Sequence, residues 1–167
     1  DIRILSTMGL TDGDIEAMRQ VEGVQTVQAS YFADVVTTIN SSEFVYRIHA
    51  LPADALKSGS DYLNEPDVIE GRLPQKSGEC IIESLKVIDL GLKIGDTIKV
   101  SSGKKEDLSK VLATDTFTIV GIARTPYYLT YDKDASDIGS GKVNFFMMIL
   151  STEFVYPVYT EALITVN

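Results

Sequence analysis

The chain has 167 residues and a formal charge of −9, from 24 acidic and 15 basic side chains. Such a surface repels phosphate backbones and anionic lipid headgroups, so nucleic acid is not expected among its partners. The single cysteine and single histidine exclude an internal disulfide and a Cys-rich zinc site, and no cofactor is expected.

This length suits one domain or two small lobes. The longest apolar run, FFMMIL, is too short for a membrane span, which needs about 20 such residues. The chain opens on DIRILS without a basic and then apolar leader, and it ends on the apolar segment LITVN. We therefore expect a piece of a longer protein.

The first part of the chain predicts a strand followed by a helix. Residues 2–6 read as a strand, and GLTDGDIEAMRQVEG reads as a helix that Gly23 stops. Thr11 is the expected N-cap, with Asp14 completing a short capping box. The buried stripe of this helix is predicted to be Ile15, Met18 and Val21.

Two alternating segments follow. The odd positions from 27 to 39 are mostly apolar or small, which predicts one long, half-buried strand. Residues 44–50 alternate again after the turn residues Asn40-Ser41-Ser42-Glu43, which predicts a hairpin.

The middle of the chain is rich in proline and glycine and predicts loops between short strands. Ser84 is expected to cap a short helix that ends at Gly91, and Gly121 is expected at a bulge or close crossing. Near the end, Ser151 is expected to cap a short helix closed by Pro157. The predicted strands of this region are residues 80–82, 94–100, 117–124, 143–150 (buried on both faces) and 160–166.

The predicted order is β-α-β-β, then a β-rich insertion, then β-α-β, which gives an α+β fold class. Residues 1–55 and 143–167 would form a mixed α/β outer lobe with adjacent chain ends. Residues 56–142 would form a smaller inserted α/β lobe, with a long loop over residues 125–142.

Cys80, in EGRLPQKSGECIIES, raises the question of a nucleophilic site. A catalytic thiol needs a base and an orienting group, and the only imidazole, His49, lies in a strand assigned to the other lobe. The favoured interpretation is a small apolar residue in a core strand.

The acidic residues give no specific site. Asp132, Asp134 and Asp137 fail the calcium-loop spacing, so a solvated acidic loop is expected. Arg72 and Glu79 lie near Glu70, and a turn stabilised by ion pairs is favoured over a glycosidase carboxylate pair.

Three tyrosines, Tyr127, Tyr128 and Tyr131, follow a strand and a proline. They are candidates for an exposed aromatic surface that contacts a partner protein. The alternative is that they anchor a long loop onto the core.

The order of several segments resembles the extracytoplasmic (MacB-like periplasmic core) domain of MacB/FtsX-type ABC transporter permeases. The segments that carry the resemblance are GLTDGDIEAMRQVEGVQTV, EGRLPQKSGECIIES, LGLKIGDTIKVS, DTFTIVGIARTPYY, FFMMILSTEF and TEALITV. Each is common by itself, whereas their order spans nearly the whole chain. The loop from Tyr127 to Lys142 departs from the family pattern because it is longer than in the Gram-negative efflux members. The helical stalk of those members is not visible within these 167 residues, which is expected if the sequence is a trimmed piece.

The resemblance implies a non-catalytic, two-lobed domain on the extracytoplasmic face of the cell membrane, with a porter-like outer lobe near the membrane. Its expected partners are the transmembrane part of the same permease, a separate cytosolic ATPase, and a peptide, lipoprotein or accessory protein. The alternatives are a free-standing cell-surface binding module and a hydrolase that uses Cys80 or the acidic residues.

Overall fold

The computed structural model describes residues 2–52, 62–84, 89–128 and 132–167. In these ranges the chain has one α-helix, α1 (Asp12–Arg19), and two single-turn 3₁₀ helices, Leu108–Lys110 and Ser151–Glu153. The strands are β1 (Ile2–Leu10), β2 (Val24–Ser30), β3 (Phe32–Ile39), β4 (Ser42–Leu51), β5 (Asp67–Gly71), β6 (Glu79–Glu83), β7 (Thr97–Ser101), β8 (Thr116–Arg124), β9 (Phe145–Leu150) and β10 (Tyr159–Val166). None of the described helices is both long and apolar enough to cross a membrane.

The small sheet contains three antiparallel strands in the order β1-β10-β2. Helix α1 covers one of its faces through Ile15, and the core between them is Leu10, Ile15, Val27, Ala162 and Ile164. Ile2 of β1 is paired with Ile164 of β10. The two ends of the chain therefore lie side by side, as predicted.

The second sheet has the order β5-β8-β6-β9-β4-β3-β7, and β7 also pairs with β8. Six strands thus close a ring, which we call the barrel, while β5 lies outside it along the second half of β8. Closure satisfies the backbone hydrogen bonds that an open sheet would leave at its edges. The interior is apolar and includes Val35, Ile48, Cys80, Phe117, Ile119 and Met147.

Several local predictions are confirmed. Thr11 caps α1 with a reciprocal capping box to Asp14. The β3–β4 hairpin turns on Asn40 and Ser41, both with positive φ, as a two-residue loop of this type requires. Strand β9 is buried on both faces. The described residues form a mostly β structure with one α-helix, consistent with the α+β class.

The predicted strand 27–39 is wrong as a single element. The chain breaks at Tyr31, so that β2 belongs to the small sheet and β3 to the barrel. The Tyr31 ring packs between Phe154 and Tyr159, with centroids 5.3 and 5.2 Å away. The alternation continues through the break because both halves face a core, and a period of two does not tell which sheet a residue joins.

Two of the helix predictions need correction. Helix α1 ends at Arg19, and Val21 lies beyond it with 57% of its surface exposed. Ser151 begins a 3₁₀ turn without a side-chain cap. The predicted helix from Ser84 to Gly91 falls largely outside the described residues.

Strand pairing also crosses the predicted lobe boundaries. Strands β3, β4 and β9 come from segments assigned to the outer lobe, whereas β3 pairs with β7 and β9 pairs with β6 of the insertion, so all of them belong to one barrel. The division into lobes stays a prediction, since sheet membership alone does not define it.

Candidate functional site at the junction of the two sheets

The small sheet and the barrel meet at a network of charged side chains, of which Asp34, Arg47 and Glu161 are largely buried while the linking Asp134 is 53% exposed. We call Arg3, Asp34, Arg47, Asp134 and Glu161 the charge junction. Arg47 of β4 donates to both carboxylate oxygens of Asp34, at 2.7 Å from Nε and 2.9 Å from Nη2. Its Nη1 donates to Asp134 Oδ2 at 2.6 Å. Only 7% of the Arg47 side chain is exposed, so this bidentate pair is largely withdrawn from water.

Asp134 extends the network from the barrel to the small sheet. Its Oδ2 also lies 3.4 Å from Nη1 of Arg3 in β1, and Arg3 Nε donates to Glu161 Oε2 of β10 at 2.6 Å. Both guanidinium groups lie about 5 Å from the ring centroid of Phe32, the first residue of β3. Alternating charges therefore connect the two sheets.

The charge junction is not fully satisfied. Glu161 is 0% exposed, and its Oε1 has no hydrogen-bond partner among the described residues, nor has Arg3 Nη2. Buried charges with incomplete partners contribute little net stability, while removing one member of a pair is costly. This arrangement favours a role in fixing how the two sheets are placed.

The predicted contact tyrosines lie beside this network. The Tyr127 ring stacks on the His49 imidazole at 4.2 Å, and the Tyr128 hydroxyl is 2.7 Å from His49 Nε2. Both tyrosines are half-buried and pack on a core cluster that includes Phe146. They anchor their loop in the way the alternative interpretation requires, while their contact with a partner stays a prediction. Tyr131 lies outside the described residues.

His49 is held neutral in this setting. Burial lowers its pKa well below the usual 6.5, and the positive charges of Arg3 and Arg47 lower it further. Its Nδ1 has no partner among the described residues. Its Nε2 is engaged with the Tyr128 hydroxyl.

The acidic loop is exposed at Asp132, Asp134 and Asp137, as expected, and two of these carboxylates also form ion pairs. Asp134 belongs to the charge junction, and Asp137 accepts from Lys104 Nζ at 2.5 Å. Lys133 forms a buried pair with Glu83 of β6 at 2.9 Å, and its Nζ lies 5.4 Å from the Tyr128 ring centroid. In the described ranges, no group of His, Cys, Asp and Glu side chains has a metal-binding arrangement.

The remaining sequence-predicted residues are structural. Arg72 pairs with both carboxylate oxygens of Glu79, at 2.8 and 2.7 Å, and the Gln75 N–H also donates to Glu79. These hydrogen bonds, the one from Arg72 first, lower the pKa of Glu79 to about 2 although burial opposes the shift. Cys80 is 0% exposed inside β6, and burial raises the pKa of its thiol. The predictions of an ion-paired turn and of a core cysteine are confirmed.

The charge junction was missed from the sequence, although the sequence carries a signal for it. Arg47 stands at the centre of FVYRIHA, Arg3 within IRIL, and Glu161 within TEALITV. A charged residue inside an otherwise apolar strand is seldom buried without a partner. Pairing such residues across elements would have predicted that these strands meet.

Comparison with protein-family models and with curated protein sequences gives no match. The structure, however, is similar to the extracellular domain of the noncanonic ABC-type transporter YknZ from Gram-positive bacteria. The TM-score is 0.53 at 13% identity, over 97% of this chain and 75% of that one.

A second similar structure is the periplasmic region of MacB from Actinobacillus actinomycetemcomitans. Here the TM-score is 0.51 at 8% identity, over 98% of this chain and 66% of that one. The chain spans about two thirds to three quarters of these domains. It has the fold of extracytoplasmic domains of ABC transporters, as the resemblance in sequence implied.

Proposed function

We propose that the chain is the extracytoplasmic domain of a MacB/FtsX-type ABC transporter permease, and that it works mechanically rather than as an enzyme. The observation that carries the proposal is the shared fold over 97% and 98% of the chain. The pairing of Ile2 with Ile164 supports it, because adjacent ends can both lead to one membrane.

In this proposal the charge junction couples the membrane to the barrel. The small sheet carries both chain ends, so displacement of attached transmembrane helices would reach this sheet first. The ion pairs from Arg3 through Asp134 to Arg47 would then move the barrel with it. A separate cytosolic ATPase would drive the motion, and the barrel would contact a peptide, lipoprotein or accessory protein.

The location is tested by thiol labelling of the full-length parent protein in intact cells. Lys105 is exposed in the loop after β7, so a Lys105→Cys variant should react with a membrane-impermeant maleimide. The parent protein without the substitution is its matched control, because Cys80, the only cysteine of these 167 residues, is fully buried and should react only after denaturation.

Labelling of Lys105→Cys only in permeabilised cells would refute the extracytoplasmic location. Labelling of a protein that washes off the cell would instead favour the free-standing binding module. Labelling in a membrane-embedded protein that co-purifies with a cytosolic ATPase would support the permease.

A further inference from the structure

A cleft of about 360 Å³ separates the small sheet from the rim of the barrel. One wall is the middle of β1, at Leu5, Ser6 and Thr7, and the other is the start of β3, from Phe32 to Asp34. Loops that follow β7 close its outer side, where Leu108 and Tyr156 contribute apolar surface.

Both walls present strand edges without a neighbouring strand in the described part of the chain. Strand β1 pairs only with β10, and β3 pairs with β7 only at Val36 and Thr37. The Val36 carbonyl accepts from Ser101 Oγ, and the Phe32 N–H donates to Thr160 Oγ1, so both point away from β4. Asp34 lies two residues from each of them in β3. Because residues two apart in a strand direct their backbone groups the same way, the N–H and C=O of Asp34 face the cleft.

The walls combine apolar surface with negative charge. Leu5 is 56% exposed and Phe32 half-buried. The charged residues that line the cleft are three carboxylates, Asp34, Glu106 and Asp137, and one amine, Lys104. Lys104 is already paired with Asp137, and Asp34 with Arg47 of the charge junction, so Glu106, exposed at the rim, is the carboxylate that offers negative charge to a ligand.

From these observations we propose that the cleft binds an extended peptide segment that alternates apolar and basic side chains. The segment pairs with β3 at Asp34 as an additional strand, beyond the point where the pairing of β3 with β7 ends, since an open edge supplies unpaired backbone donors and acceptors. Its apolar side chains contact Leu5 and Phe32, and its basic side chains pair with Glu106. The binding itself is independent of the proposed function, and only its assignment to a transporter's substrate or partner rests on that proposal.

The test uses the 167-residue chain, isotopically labelled, and a blocked peptide of about seven alternating lysine and valine residues, the length of an ordinary strand. Titration should shift the amide resonances of residues 5–7 and 32–34, and the Asp34 amide should become protected from exchange. The same peptide with glutamate in place of lysine should not bind.

Two pairs of variants separate the cleft from general surface effects. Leu5→Arg should weaken binding about tenfold or more, whereas Val21→Arg, at a residue equally exposed (57% against 56%) but remote from the cleft lining, should not. Glu106→Lys should also weaken binding, and Glu22→Lys on the exposed turn after α1 should have less effect. Circular dichroism checks that each variant is folded.

Absence of binding at about 1 mM peptide, shifts confined to another surface, or an unchanged affinity of Leu5→Arg would each overturn the proposal. Shifts at β1 that depend on protein concentration without peptide would assign the cleft edge to a second copy of the chain instead. If the chain binds the peptide but the parent protein fails the thiol-labelling test, the proposed peptide site stands and the proposed permease function is refuted.

Discussion

At the scale of single residues, His49 is the group most sensitive to pH. It is the only histidine of the chain, it is 1% exposed, and it lies between two tyrosines and near two arginines. A neutral imidazole can accept from the Tyr128 hydroxyl, while a protonated one would add a third cation near Arg3 and Arg47.

We expect the free energy of unfolding to fall as the pH falls below about 6.5. Below this pH the unfolded chain protonates its histidine while the folded chain does not, because the folded pKa is lowered. The unfolded state then binds more protons, and the loss is at most about 1.4 kcal/mol per pH unit. Urea unfolding between about pH 7.5 and 5.5 measures the slope.

The slope of stability against pH should be smaller in His49→Gln. This variant keeps a hydrogen-bonding partner for Tyr128 but has no side chain at position 49 that titrates in this pH range. Tyr128→Phe is the control, because it removes the hydrogen bond and should lower stability by about 1 kcal/mol while it retains the slope. An unchanged slope in His49→Gln would contradict this account.

The lowered pKa of Glu79 predicts a second loss of stability, at more acidic pH. Its pKa is lowered to about 2 by Arg72 and by backbone N–H groups. A lowered carboxylate pKa stabilises the folded state above the unfolded value, and this contribution is lost as the pH falls from about 4.5 through about 2. We expect Glu79→Gln to cost about 2 kcal/mol at neutral pH, a figure reduced for the 44% exposure of Arg72.

The same substitution should shrink the acid-induced loss of stability. Glu70→Gln is the matched control, since Glu70 is exposed and nearby, and it should change stability by less than about 0.5 kcal/mol. Equal effects of the two substitutions would show that the Arg72–Glu79 pair is not specifically stabilising.

At the scale of elements, β8 depends on a glycine where three chain segments meet. A Cβ on Gly121 would lie 2.4 Å from the Arg72 carbonyl oxygen and 2.9 Å from Ile81 Cγ2. The Arg72 backbone cannot withdraw freely, because its N–H donates to the Val120 carbonyl at 3.0 Å. The sequence-based expectation of a close crossing at Gly121 is thus confirmed.

We expect Gly121→Ala to lower the free energy of unfolding by about 3 kcal/mol through overpacking. Gly13→Ala provides the contrast, because a Cβ at this helical position would lie 3.6 Å from its nearest neighbour, Thr11 Oγ1, which is an ordinary contact. It should stabilise the protein by about 0.5–1 kcal/mol. Urea midpoints compare the two, and a mild effect at Gly121 would mean that β5 can shift.

The limits of sequence-based prediction also lie at this scale. The residue types alone were sufficient to predict the Thr11 capping box and the Asn40-Ser41 hairpin, because each depends on residues that are neighbours along the chain. The break at Tyr31 was not predictable, since Phe154 and Tyr159, which pack on it, are distant in sequence. The charge junction likewise depends on partners up to 158 residues apart, so single-strand patterns show buried charges but not their pairing.

At the scale of the whole molecule, two sheets with separate cores are connected by the partly buried charge junction. The core of the small sheet lies under α1, and the main core of the barrel lies inside the ring. Between them the Tyr31 aromatic contacts and the charge junction bridge the sheets. Cooperative unfolding of both sheets therefore depends on a few residues, of which Arg47 makes four hydrogen bonds within the described ranges, to Asp34, Asp134 and the Ala135 carbonyl.

The last prediction is that Arg47→Met uncouples the sheets. The substitution leaves the buried Asp34 carboxylate without its bidentate partner and should cost about 3–5 kcal/mol. Arg19→Met is the control, because Arg19 is 52% exposed in a surface pair and should cost less than about 0.5 kcal/mol. Adding Asp34→Leu to Arg47→Met should recover stability, since it removes the unpaired charge.

Hydrogen exchange distinguishes loss of coupling from uniform destabilisation. If the charge junction holds the sheets together, amides of β1 and β10 should exchange faster in Arg47→Met by a larger factor than amides of β6 and β9 in the barrel. In the double variant stability should return while the difference between the sheets persists, because the ion pair from Arg47 to Asp134, and through it the connection to Arg3, is still missing. Equal acceleration in both sheets would show that Arg47 stabilises the fold without linking its two parts.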